Sequence, residues 1–502
     1  MPPSATGPPL PRDQFPIAGR VAYLDTAHAS PLPLVAAAAM ADDAHDASAR
    51  GSAALEDRYA RRAPLRAAVA GVLGVDFDDV ALVANTTQGL GLVAAGLDWR
   101  PGDRVLVPAT DHPTIVLPWR VQARHGVTVD LVPVPASSGV SSGSAASSGS
   151  TASSGSTVAS GPASSGSVSS GSVSPGSVSP GSVSSGSTVA SAPDSVAVPV
   201  PSGSTGSVPG ELVPGELVPV DLAPVDLAPG SVPVPVPGPG SSESTAASGP
   251  VPVPVPSGPT VAAALAAAVS STPGVRVVAL SWVQAHDGER TDLAALASVV
   301  HAHGALLCVD AIQGAGVVPA DLLAWGVDAV AAGAQKWLLG PHGIGALAVT
   351  PALRERLSLV TASQTSLAAG ADGGPIVALD SAARFEAGAA DLAGMAGWAA
   401  AIDLLTSAGI ESVWSWVDRL AGRLADGCTD LGLEVVSPRS PASARSGLVT
   451  VRVPGVEPDV VAAHLAAADV VASVRKTGVR LSPAGWNDDT DIDTALTALA
   501  TL

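Results

Sequence analysis

One long segment differs in composition from the rest of the chain, and it limits which residues can share a folded core. Residues 137–258 consist mainly of Ser, Gly, Pro, Val and Ala, in runs such as SSGSVSSGSVSPGSVSP, with no aromatic residue, Lys or Arg. Such a segment buries too little apolar surface to offset the entropy lost on ordering, so we expect a disordered insert. A docking arm for a proline-binding partner and a β-solenoid are weaker alternatives, because a linker needs no partner and the repeat period varies.

Outside the insert, short apolar runs alternate with helical patterns. Strands are predicted at residues 80–84, 104–107, 127–132, 275–280, 305–309 and 329–332. Strands that are apolar along nearly their whole length and are separated by helices are typical of a mainly parallel sheet covered on both faces. Beyond about residue 390 the pattern changes to a helix at 458–468 between strands at 448–453 and 478–481. The sequence therefore predicts an α/β fold with a smaller α+β part at its C-terminal end.

These patterns give the expected domain boundaries. We expect a flexible N-terminus at residues 1–20, a large domain formed from residues 21–136 and 259–390, the insert at 137–258, and a small C-terminal domain at 391–502. Within the large domain, Thr291 is the predicted N-cap of a helix that ends at Gly304.

Charge and cysteine content exclude several classes of function. The chain has 25 Lys and Arg against 44 Asp and Glu, a net charge of −19, which argues against nucleic-acid binding. Its two cysteines, Cys308 and Cys428, exclude a disulfide framework and a zinc site built on CxxC pairs, so no metal site is predicted. No uninterrupted apolar run reaches the roughly 18 residues of a membrane span, and the N-terminus lacks the apolar run of a signal peptide. We therefore expect a cytoplasmic protein with no membrane partner.

Polar side chains follow several of the predicted strands, where an open parallel sheet binds ligands. They are Thr86, Thr87 and Gln88; His112; Asp310 and Gln313; and Lys336. The first group opens a helix and suits an anion, although simple N-capping by Asn85 or Thr86 is the better explanation of these residues taken alone. Asp310 alone is also compatible with a turn-forming aspartate. Lys336 is flanked by small residues and Trp337, so partial desolvation favours its use as a nucleophile, whereas Lys476 fits a surface lysine better.

Together these side chains match the needs of one cofactor. A phosphate site, a carboxylate for a pyridinium nitrogen, an imidazole and a lysine are the groups that pyridoxal phosphate requires. The chain also resembles the class V aminotransferases of fold type I, the family that contains cysteine desulfurases, selenocysteine lyases and isopenicillin N epimerase-like proteins. The resemblance is carried by YLDTAHASPLP (23–33), ATDHPTIVLPW (109–119), CVDAIQGAG (308–316), RFEAG (384–388) and GVRLSPAGWND (478–488).

The resemblance implies a role for each candidate residue. Lys336 is the catalytic Schiff-base lysine, His112 stacks on the cofactor ring, Asp310 pairs with the ring nitrogen, Gln313 contacts the phenolic oxygen or the substrate, Thr86, Thr87, Gln88 and Gln335 contact the cofactor, and His28 and Arg480 bind the substrate. It further implies a fold type I enzyme that acts on an amino acid as a homodimer, with its active site at the interface.

Several positions depart from the family pattern. Gly333 replaces the usual hydroxyl residue, Gln335 the histidine before the lysine, and Ala389 a threonine that contacts the phosphate. No cysteine lies between residues 471 and 480, which argues against a persulfide-forming desulfurase. The expected function is an aminotransferase or a carbon–sulfur lyase. An isopenicillin N epimerase-like epimerase and a scaffold that has lost the cofactor are the alternatives.

Overall fold

A computed structural model describes residues 7–134, 260–386, 388 and 390–502. The predicted insert and Ala389 lie outside these residues. Among the described helices, none alone is long and apolar enough to span a membrane, and one consecutive pair, Leu392–Ala408 with Ile410–Asp430, meets that length and composition only across a 77° bend.

The described residues form helices and strands in the following order. The helices are α1 (Leu34–Arg50), α2 (Leu55–Ala60), α3 (Arg62–Leu73), α4 (Thr86–Gly96), α5 (Pro113–Arg120), α6 (Val261–Ser271), α7 (Leu293–Ala302), α8 (Pro351–Arg356), α9 (Leu392–Ala408), α10 (Ile410–Asp430), α11 (Pro458–Ala467) and α12 (Asp489–Leu499). The strands are β1 (Ala22–Tyr23), β2 (Val80–Val83), β3 (Arg104–Pro108), β4 (Thr128–Val132), β5 (Val275–Ser281), β6 (Leu306–Asp310), β7 (Ala329–Gly333), β8 (Gly345–Val349), β9 (Leu367–Ala369), β10 (Val377–Ala378), β11 (Glu434–Val435), β12 (Val449–Arg452), β13 (Val470–Val471), β14 (Ser473–Arg475) and β15 (Gly478–Leu481).

A seven-stranded sheet forms the centre of the larger part of the fold. Its strand order is β2-β8-β7-β6-β5-β3-β4. The strands from β7 to β4 pair in parallel, whereas β8 is antiparallel to both of its neighbours. This arrangement confirms the predicted mainly parallel sheet. The carboxyl ends of the parallel strands consequently meet at one edge, where a ligand site is expected.

The sheet is buried on both faces. Every residue of β6 and β7 is buried, as expected for strands covered by helices on each side. One apolar cluster lies on the side of α3, α6, α7 and α9, and a second lies on the side of α4 and α5. Large side chains such as Trp282 and Trp119 fill the two layers. The strand ends that carry the polar side chains are thus fixed by packing on both sides.

The C-terminal part contains a second, smaller sheet. Four strands in the order β11-β12-β15-β14 are antiparallel throughout. Helices α10, α11 and α12 pack on this sheet around a separate apolar core. This is the predicted α+β pattern, and strand β15 has the predicted bounds.

Two local expectations differ from the structure. The described part of the expected flexible N-terminus is folded, because Leu10 and Phe15 are buried and Phe15 stacks on Trp486 with ring centroids 4.0 Å apart. The N-cap of α7 is Asp292 rather than Thr291, since the Asp292 carboxylate accepts a hydrogen bond from the amide of Ala295.

Candidate active site

A cavity of about 140 Å³ lies at the carboxyl ends of the strands in the large sheet. Its walls are formed by Asn85, Thr86, Thr87, His112, Thr114, Ser281, Ala285, Asp310, Ile312, Gln313, Gln335 and Lys336. Seven of these residues were predicted from the sequence as contacts of one cofactor. The fold therefore brings together side chains that are up to 250 positions apart in the chain.

Lys336 and Asp310 both line this cavity, and the charge of each affects the pKa of the other. Asp310 is the last residue of β6 and is buried, and the amide of Ile312 donates a 2.9 Å hydrogen bond to its Oδ1. Burial raises the pKa of Asp310, while that amide and the charge of Lys336 act in the opposite direction. Burial also lowers the pKa of Lys336, and the charge of Asp310 opposes this shift. Within the described residues the side-chain amine of Lys336 has no hydrogen bond or ion pair, so it is available for chemistry.

The chain turns sharply directly after Lys336. The amide of Leu339 donates to the Lys336 carbonyl at 3.0 Å, and the amide of Gly340 donates to the Ala334 carbonyl at 2.9 Å. Leu339 adopts a φ of 58°, a left-handed conformation that a non-glycine residue rarely takes. Such strained positions often occur beside functional groups. No pattern in the sequence marked Leu339.

The start of α4 presents unpaired donors to the cavity. Asn85 is the N-cap, and its side chain accepts a hydrogen bond from the amide of Gln88 at 2.9 Å. The buried Oγ1 of Thr86 has no partner within the described residues. The Gln88 side chain turns away and accepts from the amide of Ala84, so Gln88 does not line the cavity. Helix amides and free hydroxyl groups at this position suit a phosphate.

Gln335 occupies space that is available only because residue 333 is glycine. A β-carbon at Gly333 would collide with Oε1 of Gln335. The Gln335 backbone is also fixed, because its carbonyl accepts a 2.9 Å hydrogen bond from the amide of Ser30. The two departures from the family pattern at these positions therefore belong together, since the small residue makes room for the longer amide.

His112 is held at the cavity wall by the first turn of α5. It is the N-cap of that helix, and its Nδ1 lies 3.0 Å from Oγ1 of Thr114. Burial lowers its pKa, and the charge of Lys336 lowers it further. The preceding Asp111 was not predicted as a functional residue. Its carboxylate accepts hydrogen bonds of 2.7 Å from the amide and 2.5 Å from the hydroxyl of Ser281, which ties the His112 loop to the end of β5.

Gln313 connects the cavity to the N-terminal segment. Its Nε2 donates to the carbonyl of Ala27 at 2.9 Å, and its Oε1 accepts from Nε1 of Trp337 at 3.0 Å. One of the two amide hydrogens consequently stays available for a ligand. His28 follows Ala27 directly but is exposed and does not line the cavity.

Arg480 lies next to the cavity wall and is fully buried. Its Nη1 donates a 2.8 Å hydrogen bond to the carbonyl of Ala285, a residue of that wall. Its Nε and Nη2 have no hydrogen-bond partner in the described part of the chain, and Nη2 is 3.6 Å from Oδ1 of Asp25. Burial lowers the pKa of Arg480 to about 9. A buried guanidinium with free donors is suited to a carboxylate.

Both cysteines lie in the apolar cores. Cys308 is in β6 and Cys428 in α10, and each has no exposed surface. Burial raises the pKa of the Cys308 thiol, and it raises that of Cys428 to about 12. Neither thiol reaches the cavity. The expectation that both are structural is consistent with these positions.

Comparison with known proteins identifies the family. The sequence profile described as Aminotransferase class-V matches residues 22–145 and 259–482. The chain is 28% identical over 218 residues to the uncharacterized aminotransferase YcbU of Bacillus subtilis strain 168, a match that covers 43% of this chain and 57% of YcbU. It is 33% identical over 194 residues to a probable cysteine desulfurase of Chlamydia trachomatis serovar D, covering 37% and 45% of the two chains. The chain thus spans about half the length of these curated relatives.

The fold has close counterparts among solved structures. The cystine C–S lyase C-DES, solved in complex with its reaction product cysteine persulfide, superposes with a TM-score of 0.68 at 21% identity, covering 97% of this chain and 99% of that chain. This likeness concerns the fold, whereas the profile match concerns the sequence motifs themselves. The chain therefore belongs to the class V aminotransferase family, a family of pyridoxal-phosphate-dependent enzymes.

Proposed function

We propose that this chain binds pyridoxal phosphate through Lys336 and acts on an amino acid, as an aminotransferase or a carbon–sulfur lyase. The observation that carries the proposal is the cavity in which the unpaired amine of Lys336 and the buried carboxylate of Asp310 lie together, beside the free donors of Arg480. A structural role alone does not explain why three charged groups are buried with so few partners, because unpaired buried charges destabilise a fold.

The residues present fit the cofactor. The unpaired Oγ1 of Thr86 and the N-terminal amides of α4 supply donors for a phosphate group. The space beside Gly333 holds the Gln335 amide, which supplies a further donor in place of the usual hydroxyl. Asp310, buried and with a single amide donor, is suited to face a pyridinium nitrogen. We propose that Gln88 contributes through its backbone amide, since its side chain is turned toward Ala84.

Each side chain then has a defined task. Pyridoxal phosphate, when bound, withdraws electron density from a bond to the α-carbon of the substrate. Asp310 and His112 would hold the cofactor ring, and the Asp310 carboxylate would keep the ring nitrogen protonated. Lys336, whose pKa is lowered by burial, is suited to take and return the proton at the α-carbon. Arg480 orients the substrate through its carboxylate.

The placement of the cysteines supports a function other than that of a persulfide-forming desulfurase. Such an enzyme needs an accessible thiol that can reach the substrate sulfur. Both thiols here are buried, and no cysteine lies in the segment between β13 and β15 that precedes Arg480. A lyase that releases its sulfur product, or an aminotransferase, needs no such thiol. Two further expectations stay predictions: a homodimer with the active site at its interface, and a cytoplasmic location.

The experiment that tests the proposal is exchange of the substrate α-proton in deuterated water. Transamination, β-elimination and epimerisation all begin with loss of this proton, so proton NMR on a panel of amino acids detects any of them. We expect exchange for at least one amino acid with cofactor-loaded wild type and none with Lys336→Ala. Lys476→Ala, which removes the other lysine of the chain, is the matched control and is expected to retain exchange.

The products then separate the candidate reactions. A keto acid indicates transamination, pyruvate with a sulfur product indicates elimination, and a change of optical rotation alone indicates an epimerase. A protein that purifies colourless, gains no absorbance with added cofactor and exchanges no α-proton would support the scaffold alternative and contradict the proposal.

A further inference from the structure

A second arginine, Arg475, lies on the same face of the small sheet as Arg480. In the pairing of β14 with β15, Ser473 is opposite Arg480 and Arg475 is opposite Gly478. Residues opposite each other, and residues two apart along a strand, project to the same face. Ser473 and Arg480 both contact Asp25 on this face. Arg475 therefore projects toward the region that holds the carboxylate-binding group.

Arg475 forms no ion pair within the described residues, although the charge of Asp25 partly opposes the lowering of its pKa by burial. The side chain is half-buried, and within the described residues its one hydrogen bond runs from Nη1 to the carbonyl of Val474 at 2.7 Å. By contrast, the partly buried Arg58 forms a 2.6 Å ion pair with Asp43. A guanidinium that has lost part of its hydration without forming an ion pair is suited to bind an anion from outside the chain.

The positive charge of Arg475 affects the pKa values of groups in and beside the cavity. Burial is the main cause of the lowered pKa values of Lys336, His112 and Arg480, and the positive charge of Arg475 lowers each of them further. Interactions between charges fall with distance and are screened by solvent. The shared sheet face places Arg475 on the side of Arg480, and its charge acts on the amine of Lys336 and the imidazole of His112 as well.

We propose that Arg475 binds a second carboxylate, carried by the side chain of the substrate, while Arg480 binds the α-carboxylate. The inference rests on the proposed function and narrows its substrate class to amino acids with an acidic side chain. One fork-shaped guanidinium is sufficient for one carboxylate. The second, on the same sheet face and unpaired, provides selectivity for a dianion over a monoanion of the same length.

Isothermal titration calorimetry with amine-free acids isolates this recognition from the chemistry at Lys336. Succinate, glutarate and adipate are each compared with the monoamide of the same length, using the cofactor-loaded chain. For at least one length, we expect wild type to bind the diacid about tenfold more tightly than the monoamide, because a hydrogen-bonded charge pair is lost with the amide. Arg475→Gln is expected to reduce this ratio to about two or less, and Arg475→Lys to retain part of it.

Lys476→Gln is the matched control, because it removes one positive charge from the neighbouring exposed residue and should leave the ratio unchanged. A wild type that discriminates less than about twofold at every length would overturn the inference. An equal loss of discrimination in Lys476→Gln and Arg475→Gln would overturn it as well. Failure of α-proton exchange would contradict the proposed function separately, because binding of amine-free acids requires no reaction and is measurable on the same protein.

Discussion

The side-chain carbonyl of Gln335 fills the space that a β-carbon at Gly333 would need. The Gly333→Ala substitution should therefore displace the Gln335 amide from the cavity wall. We expect the Kd for pyridoxal phosphate to rise about tenfold, which corresponds to the loss of one hydrogen bond to a charged group. Fluorescence titration of the cofactor-free protein measures this directly.

A double-mutant cycle distinguishes displacement of Gln335 from a general loss of stability. Gln335→Ala should weaken binding by a similar factor, and adding Gly333→Ala to it should have little further effect. Gly71→Ala in α3, where an added β-carbon meets nothing, is the control with unchanged affinity. Wild-type affinity in Gly333→Ala would contradict the coupling of the two residues.

Asp310 should make the stability of the cofactor-free protein depend on pH. Burial raises the pKa of Asp310, so the folded chain keeps a proton that the unfolded chain loses above its usual pKa of about 4. The unfolded state then binds fewer protons, and the free energy of unfolding falls as the pH rises above that value. Asp310→Asn should remove this decline, and the exposed Asp42→Asn should not.

Urea unfolding at several pH values measures the effect. We expect the wild type to lose about 1 kcal/mol or more relative to Asp310→Asn between mildly acidic and neutral pH. Parallel pH profiles for the two proteins would show that Asp310 titrates normally and would contradict its assignment as a desolvated carboxylate.

The local elements were predictable from the sequence because their patterns are local. The apolar runs that form most of β6 and β7 marked central parallel strands, and the bounds of β15 agree with the prediction. The strand β8 was not predicted, and its antiparallel position between β2 and β7 depends on pairing across distant segments. The order of strands is a property of such non-local contacts, which no local pattern contains.

The candidate site was predictable to a similar extent. The residue types that follow each strand identified Lys336, Asp310 and His112, and the structure places them around one cavity. The contact between Asp111 and Ser281 and the shared sheet face of Arg475 were not predictable, because each depends on register between segments far apart in the chain. The aspartate directly before His112 was the sequence feature that could have indicated the contact between Asp111 and Ser281.

Carboxylate binding should require the planar geometry of the Arg480 guanidinium as well as its charge. Arg480→Lys keeps a positive charge near Asp25 but removes the planar fork, so we expect the Kd of a simple monocarboxylate such as propionate to rise about tenfold. The control is Arg58→Lys, which alters an arginine of α2 that forms an ion pair with Asp43. It should leave the Kd for propionate unchanged. Calorimetry checks both, and equal affinities in wild type and Arg480→Lys would exclude Arg480 as the carboxylate ligand.

The two thiols should be unreactive in the folded protein. Cys308 and Cys428 are fully buried and burial raises both pKa values, so the thiolate that reacts with iodoacetamide is scarce. Mass spectrometry should detect almost no alkylation under native conditions and two alkylated sites in denaturant. Rapid native labelling of either residue, or a persulfide found on it after turnover, would reopen the desulfurase assignment.

The most direct test of the central claim is the location of the covalent bond to the cofactor. The chain has two lysines, Lys336 and Lys476, so borohydride reduction of the protein with pyridoxal phosphate, followed by peptide mass mapping, has a simple readout. An absorbance band at about 410–430 nm should be lost on reduction, and the reduced cofactor should be found on the Lys336 peptide alone. No label, or equal labelling of Lys476, would contradict the assignment of Lys336 as the residue that holds the cofactor.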